Sequence, residues 1–320
     1  MTSYVAITDH DWFTHLRQQT WDEVNFWQPS STNLLNPPPG MPFFFKLRAS
    51  HGSHIVGFGH FSWRSKLPAW MAWDSFGEAN GAATKHEMMQ RIGRLRHDAT
   101  IDYSGKYEIG CLLIARPVFF DEADWVRPPD DWSASIQRGK SYDIAEGEGR
   151  RIHLECMERA GRYERDADAS AAAVGLQPIA PSDRYGDQRL IRPRLGQGGF
   201  RVAVADVYGR QCAITTEHSL PALEAAHIRA FADGGEHDVR NGLLLRADLH
   251  RLFDRGFVTV TPEHRFLVSR RLKDDYSNGR VYYELQESIE RSGHIHLPTN
   301  PEHYPDPDAL AWHVREKFVG

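Results

Sequence analysis

The chain has 320 residues, of which 41% are hydrophobic, and 43 Asp and Glu against 38 Lys and Arg leave a net charge of −5. That length and apolar content suffice to bury two ordinary cores, so two domains are expected. No run of about 18 apolar residues occurs, and the opening MTSYVAITDHDWF lacks the basic and apolar regions of a signal peptide. These two absences argue against a membrane span and point to a cytoplasmic protein. Cys111, Cys156 and Cys212 are widely spaced and form no CxxC pair, which excludes a disulfide framework and a cysteine zinc knuckle and leaves them as small buried residues.

The first part of the chain, to about Asp143, alternates helical and extended stretches. Helical spacing is expected near Asp9 to Gln19 and Lys85 to Leu95, and strands at PFFFKLRA, HIVGFGHFSW and IGCLLIARPVFF, punctuated by turn signals such as NPPPG and HGSH. This half therefore reads as α+β with a curved sheet. Eight of the nine tryptophans fall here. NFWQPSSTN places Trp27 beside amides and hydroxyls in an expected loop, and FSWRSKLPAWMAWDSFG places Trp63 and Trp73 close to Asp74. Aromatic walls with a few polar groups are what a pocket for an extruded base requires. Most tryptophans nonetheless serve a core.

Glu146 to Asp168 has helical spacing, and the following DADASAAAVGLQPIAPSD reads as an interdomain linker. From Arg184 to Arg280 there are 16 Lys and Arg against 12 Asp and Glu, and fifteen of those cations are arginines. The planar guanidinium fork suits phosphate, so this locally basic half is the place to look for a polyanionic partner.

Within it, a helix is expected at Gly199 to Tyr208, then a strand at Leu223 to Ile228. A turn carrying Gly234 and Gly235 follows, then a return strand at Asn241 to Leu245 and a helix at Arg246 to Phe253. Such a ββα unit can bring His227 and His250 to one site, with Asn241 holding the loop that aims His227. The chemistry that suits this set is phosphodiester hydrolysis, in which a neutral histidine deprotonates water and a divalent cation stabilises the charge on phosphate. His250 and Asp254 lie at i and i+4 on one helix face, a spacing able to chelate one ion. His294, His296 and His303 sit among prolines and acids and read as a solvated loop rather than a metal cluster.

EAAHI, HDVRNGLLLRADLHRLFDRG and the preceding RLGQGGFRVAVADVYGRQCAIT resemble the HNH endonuclease family, over about Arg189 to Asp275 and into the LPTNPEHYPDPDALAWHVREKF tail. The resemblance implies a ββα-metal domain in which His227 is the general base, Asn241 the orienting residue and His250 a metal ligand for one Mg²⁺ or Mn²⁺. Many members carry Asp or His directly before the base. Here that position is Ala226, so Asp254 is expected to complete the metal shell, with Glu224 as a further ligand, direct or through water.

The N-terminal half, with its FFFK and VGFG strands, is similar to PUA-like domains of the EVE type, small curved sheets or barrels that are associated with modified bases when fused to nucleases. Together the two resemblances imply a recognition domain at residues 1–145, a helix and linker at 146–183 and a nuclease domain at 184–320. The function they imply is a modification-dependent DNA restriction endonuclease that flips a methyl- or hydroxymethylcytosine and cuts nearby. Its partner would be double-stranded DNA, cut on both strands by a homodimer. The base pocket would be formed by Trp27, Trp63, Trp73 and Asp74. The alternatives are a non-catalytic nucleic-acid-binding regulator and an RNA-directed nuclease.

Overall fold

Pro42–Leu47 is buried at every position, which explains why PFFFKL lacks the polar alternation of a half-exposed strand. It lies inside a six-stranded sheet of a computed structural model that describes residues 1–98, 100–173 and 195–320. The chain divides into two compact units, Met1–Pro193 and Arg194–Gly320.

In the first unit the strands are β1 (Thr2–Thr8), β2 (Glu23–Gln28), β3 (Pro42–Leu47), β4 (Ile55–Pro68), β5 (Glu108–Phe119) and β6 (Gly139–Asp143). Their order across the sheet is β2-β5-β4-β3-β1-β6. Only β1 and β3 pair in parallel; the other neighbours are antiparallel. The helices are α1 (His10–Leu16), α2 (Ala69–Phe76), α3 (Lys85–Arg96) and α4 (Gly147–Ala173). Asp9 caps α1 by accepting from the Trp12 amide. Thr84 caps α3 by accepting from the Glu87 amide, while the Glu87 carboxylate reaches back to the Ala83 amide, a reciprocal arrangement that satisfies two helix-start donors.

The sheet is open. β2 and β6 form its two edges, so the expected barrel does not close. Both faces are nonetheless packed, and Phe26 of β2 meets Phe43 and Phe45 of β3 from three strands away, so the sheet curls over one of its own faces. On one, Ile152, Cys156 and Ala160 of α4 pack with Val5, Phe44, Ile55 and Phe58. On the other, Phe43 and Phe45 meet Phe26 and Trp12 in edge-to-face and stacked contacts. Alternate residues of β3 thus serve opposite cores. The helix expected at the start of the 146–183 stretch is α4, which packs in this unit's core and runs on to Ala173. Residues 174–183 of that stretch lie outside the described residues.

The second unit begins with α5 (Gln197–Val207), followed by the β7 (Leu223–His227) and β8 (Gly242–Arg246) hairpin and α6 (Ala247–Asp254). A second hairpin, β9 (Val258–Val260) and β10 (Phe266–Val268), leads to α7 (Arg271–Tyr276), α8 (Arg280–Ser292) and α9 (Pro307–Glu316). All three cysteines are buried and free. The sulfur of Cys212 accepts from the amides of Ile214, Thr215 and Arg246, and so ties the turn after α5 to the end of β8. The segment with His294 and His296 packs onto the unit rather than lying in solvent, since Ile295 is buried and the amides of Ile295 and His296 bond the carbonyls of His264 and Ala213. Among the described residues no helix is long and apolar enough to cross a membrane.

Two buried polar groups hold elements that matter below. The Asn80 side chain donates to the carbonyls of Ala72 and Gly77 and accepts from Asn25, while its own carbonyl accepts from the Trp27 indole. Asn80→Ala strands the Ala72 and Gly77 carbonyls and the Asn25 amide while keeping the main-chain bond to Trp27, and the expected loss is on the order of 2–4 kcal/mol, measurable by urea denaturation; an unchanged midpoint would refute it. In the second unit, His313 of α9 donates from Nε2 to the Phe253 carbonyl and accepts at Nδ1 from the Thr259 hydroxyl, so α9 is fastened to the end of α6. Burial holds its pKa down to about 4. The unfolded chain takes up this proton near pH 6.5, so stability is lost as pH falls from about 6.5 towards 4. Melting curves across that range should show the loss, and a His313→Gln variant should have a shallower pH dependence.

Candidate active site

The register of the first hairpin sets His227, the last residue of β7, opposite Gly242, the first of β8. A side chain at 242 would collide with Val204 and Phe200 of α5, its Cβ falling 2.5 Å from Val204 Cγ2 and 3.0 Å from Phe200 Cζ. With glycine there, Phe200 stacks flat on the His227 ring at a centroid distance of 3.8 Å and an interplanar angle of 13°. The ring plane of His227 is thus set by α5, which sequence spacing gave no reason to associate with it.

Asn241 immediately precedes β8 and is buried. Its Oδ1 accepts from the Arg229 amide at 2.9 Å, and its Nδ2 donates to the carbonyls of Arg229 and Glu236, both at 2.9 Å. One side chain therefore closes the loop between the two strands at both ends. Gly235 is required by this closure, because a Cβ there would lie 1.9 Å from the Arg229 oxygen and 2.8 Å from Asn241 Nδ2.

The loop so closed brings in a residue that sequence pattern alone leaves as part of a turn. His237 places its Nδ1 at 3.2 Å from His227 Nε2, with the two rings at 76°. Phe231, 67% exposed, stacks on the ring of His237. Burial, with charge repulsion from His237 and His250, holds the His227 pKa down to about 4, so the imidazole is neutral at pH 7. No local pattern in GGEHD marks His237. Its placement depends on a loop closure that spans ten residues.

His250 stands on α6, whose Leu249 and Phe253 are buried. Glu224 Oε2 of β7 lies 2.7 Å from His250 Nδ1, and Asp254 Oδ2 lies 3.4 Å from Nε2. The two carboxylates thus flank opposite edges of one ring. An ion bound through one nitrogen takes the carboxylate beside it, while the other accepts from the remaining N–H and orients the ring. That geometry explains why, among the described residues, no three His, Cys, Asp or Glu side chains group around a single point. Ala226 is fully buried and offers no donor. The residues present fit a divalent cation with two protein donors, a shell of the kind that Mg²⁺ completes with water and phosphate oxygens.

Of the residues expected to form a base pocket, Trp27 lines a cavity that Trp63, Trp73 and Asp74 do not line. Trp27 lies in β2 rather than in a loop, 8% exposed, its indole N–H bonded to the Asn80 carbonyl. It lines a cavity of about 420 Å³ with Trp12, Phe26, Gln28, Arg48 and Arg138. Trp63 on β4 and Trp73 on α2 are half-buried and Asp74 is exposed, and none of the three lines that cavity.

Gly235→Ala must displace the Arg229 carbonyl and break the Asn241 clamp. We expect a cost of about 1–3 kcal/mol by chemical denaturation, with faster hydrogen exchange confined to the 229–241 loop. Exchange unchanged there would show that the clamp is not needed.

Residues 212–261 match a family model described as HNH endonuclease. The match takes in His227, His237, Asn241, His250 and both carboxylates. None of the curated proteins matches the chain. Among solved structures, the chain is similar to a modification-dependent TagI restriction endonuclease at 12% identity, over 93% of this chain and 76% of that one, with a TM-score of 0.27. A superposition that loose carries no argument about fold or activity. The family match stands on its own and is confined to residues 212–261.

Proposed function

We propose that the chain is a metal-dependent DNA endonuclease of the restriction type, hydrolysing phosphodiester bonds at the ββα site. The observation that carries this reading is the convergence, inside the HNH match, of a neutral His227, an Asn241 that closes its loop and a His250 flanked by carboxylates. His227 takes a proton from water as the water oxygen attacks phosphorus, the bond to the 3′ oxygen breaks and that oxygen takes a proton from solvent, so that a 5′ phosphate and a 3′ hydroxyl result. His250 and Asp254 would hold one Mg²⁺ or Mn²⁺, with Glu224 orienting His250 through Nδ1–H. The ion, when bound, offsets charge on the phosphate and the leaving oxygen.

The substrate we favour is double-stranded DNA carrying a modified cytosine, of the methyl or hydroxymethyl type, read by the first unit. Its support is the cavity of about 420 Å³ with aromatic walls and a few polar groups, a size and lining suited to a small planar ligand. Trp27 would contribute ring surface there, its N–H being already committed to Asn80. Two copies acting on opposite strands would give a double-strand break.

The test is cleavage of plasmid carrying cytosine, 5-methylcytosine or 5-hydroxymethylcytosine in Mg²⁺ and in Mn²⁺. We expect faster cleavage of a modified plasmid, and equal rates on all three would remove the modified-cytosine reading. His227→Ala should lower the rate by about 10²–10⁴-fold with DNA binding retained; a rate equal to that of the unaltered protein overturns the assignment. His250→Ala should abolish cleavage and weaken metal binding. Asp254→Ala should raise the metal concentration for half-maximal activity more than Glu224→Ala does, and the reverse order would make Glu224 the ligand.

A further inference from the structure

We propose that His237 is a positioning residue for the general base: by accepting a hydrogen bond from His227 Nε2–H, it fixes the tautomer that leaves His227 Nδ1 free to take a proton. The inference rests on the reading of His227 as the base. It adds a residue to which neither the family match nor the spacing of the motif assigns a part.

The geometry has three components. His227 Nε2 and His237 Nδ1 are 3.2 Å apart, so one proton lies between them and one of the two nitrogens is an acceptor. The ring planes are held from outside the pair, His227 by Phe200 at 3.8 Å and 13° and His237 by Phe231 at 5.4 Å and 24°. Finally, the Asn241 side chain bonds Arg229, two residues after His227, and the carbonyl of Glu236, directly before His237. The same amide therefore locates both partners of the pair, and its orienting effect extends beyond His227.

A neutral imidazole carries its proton on one nitrogen or the other, and only the unprotonated one can act as a base. If His237 Nδ1 is the acceptor, the His227 proton resides on Nε2 and its Nδ1 lone pair is available. When Nδ1 takes the proton from water, the resulting imidazolium donates a charge-assisted bond to His237. A carboxylate orients and stabilises the histidine of hydrolase triads in this way; here a neutral ring does so. A neutral acceptor also avoids a fixed negative charge near an incoming phosphate.

Two substitutions separate the acceptor from the packing. His237→Phe keeps a ring against Phe231 and removes the nitrogen; His237→Asn places an oxygen acceptor near the position of Nδ1. With saturating Mn²⁺ and a cleavable plasmid, we expect His237→Phe to lower the single-turnover rate by about 10- to 100-fold at unchanged DNA affinity and melting temperature, and His237→Asn to recover most of it. Nitrogen-15 spectra of the full-length protein should show His227 protonated at Nε2, with the Nδ1–H form gaining population in His237→Phe. Full activity in His237→Phe, or a His227 protonated at Nδ1 in the unaltered protein, overturns the proposal. Loss of cleavage in the Asn variant equal to that in Phe, with both folded, also counts against it. If the unaltered protein cleaves nothing, or His227→Ala cleaves normally, the base assignment fails instead, and the spectra alone decide the tautomer.

Discussion

Three hydrogen bonds from the Asn241 amide hold the loop on which the candidate active site depends. A loop of this length between two short strands has many conformations, and ordering each residue costs backbone entropy of about 1–2 kcal/mol. The amide offsets part of that cost by satisfying two carbonyls and one N–H that would otherwise compete for water. It also converts the loop into a frame in which residues 229 and 236 are fixed, and with them the rings of His227 and His237. Gly235 and Gly242 are the steric conditions for this frame: one lets the backbone approach the Arg229 carbonyl, and the other lets Phe200 lie against His227.

The half of the candidate site around His250 is built differently. His250 and Asp254 ride on a helix, so their separation follows from helical geometry, whereas Glu224 arrives from β7 and meets the opposite edge of the imidazole. A strand and a helix thus supply one ring with a carboxylate at each nitrogen. The absence of a donor at Ala226 is consistent with this division, since the position is packed in the interior. α6 itself is anchored by His313, whose ring stacks on Phe253 and bonds its carbonyl.

The first unit follows a separate logic. Its β3 strand is apolar on both faces because α4 packs on one, while on the other Trp12 of α1 and the rings of Phe26 and Phe119, from β2 and β5 of the same curled sheet, meet Phe43 and Phe45. Trp12 and Trp27 spend their indole N–H groups on the carbonyls of Asn25 and Asn80, leaving ring surface as what Trp27 can offer to the adjoining cavity. Grouping Trp63, Trp73 and Asp74 with Trp27 relies on proximity along the chain. Trp63 stands on β4 and Trp73 and Asp74 on α2, and none of them lines the cavity that Trp27 lines.

Period and turn chemistry sufficed to locate the strands of the FFFK, VGFG and CLLIA stretches, the helix at α3 and the ββα order around His227, Asn241 and His250. These are local properties: alternation, helical spacing and glycine-bearing turns are written within a few residues of one another. The i, i+4 relation of His250 and Asp254 was legible for the same reason. What the sequence could not supply is every relation that depends on packing at a distance. The open rather than closed sheet, the docking of α4, the ring of Phe200 under His227 and the Glu224 contact to His250 each join residues from separate elements. The His227 and His237 pair arises from a loop closure enforced by a third residue's amide, and no spacing rule encodes it. Tertiary structure decided these because hydrogen bonds and ring contacts are set by where backbones converge, which one-dimensional pattern leaves open.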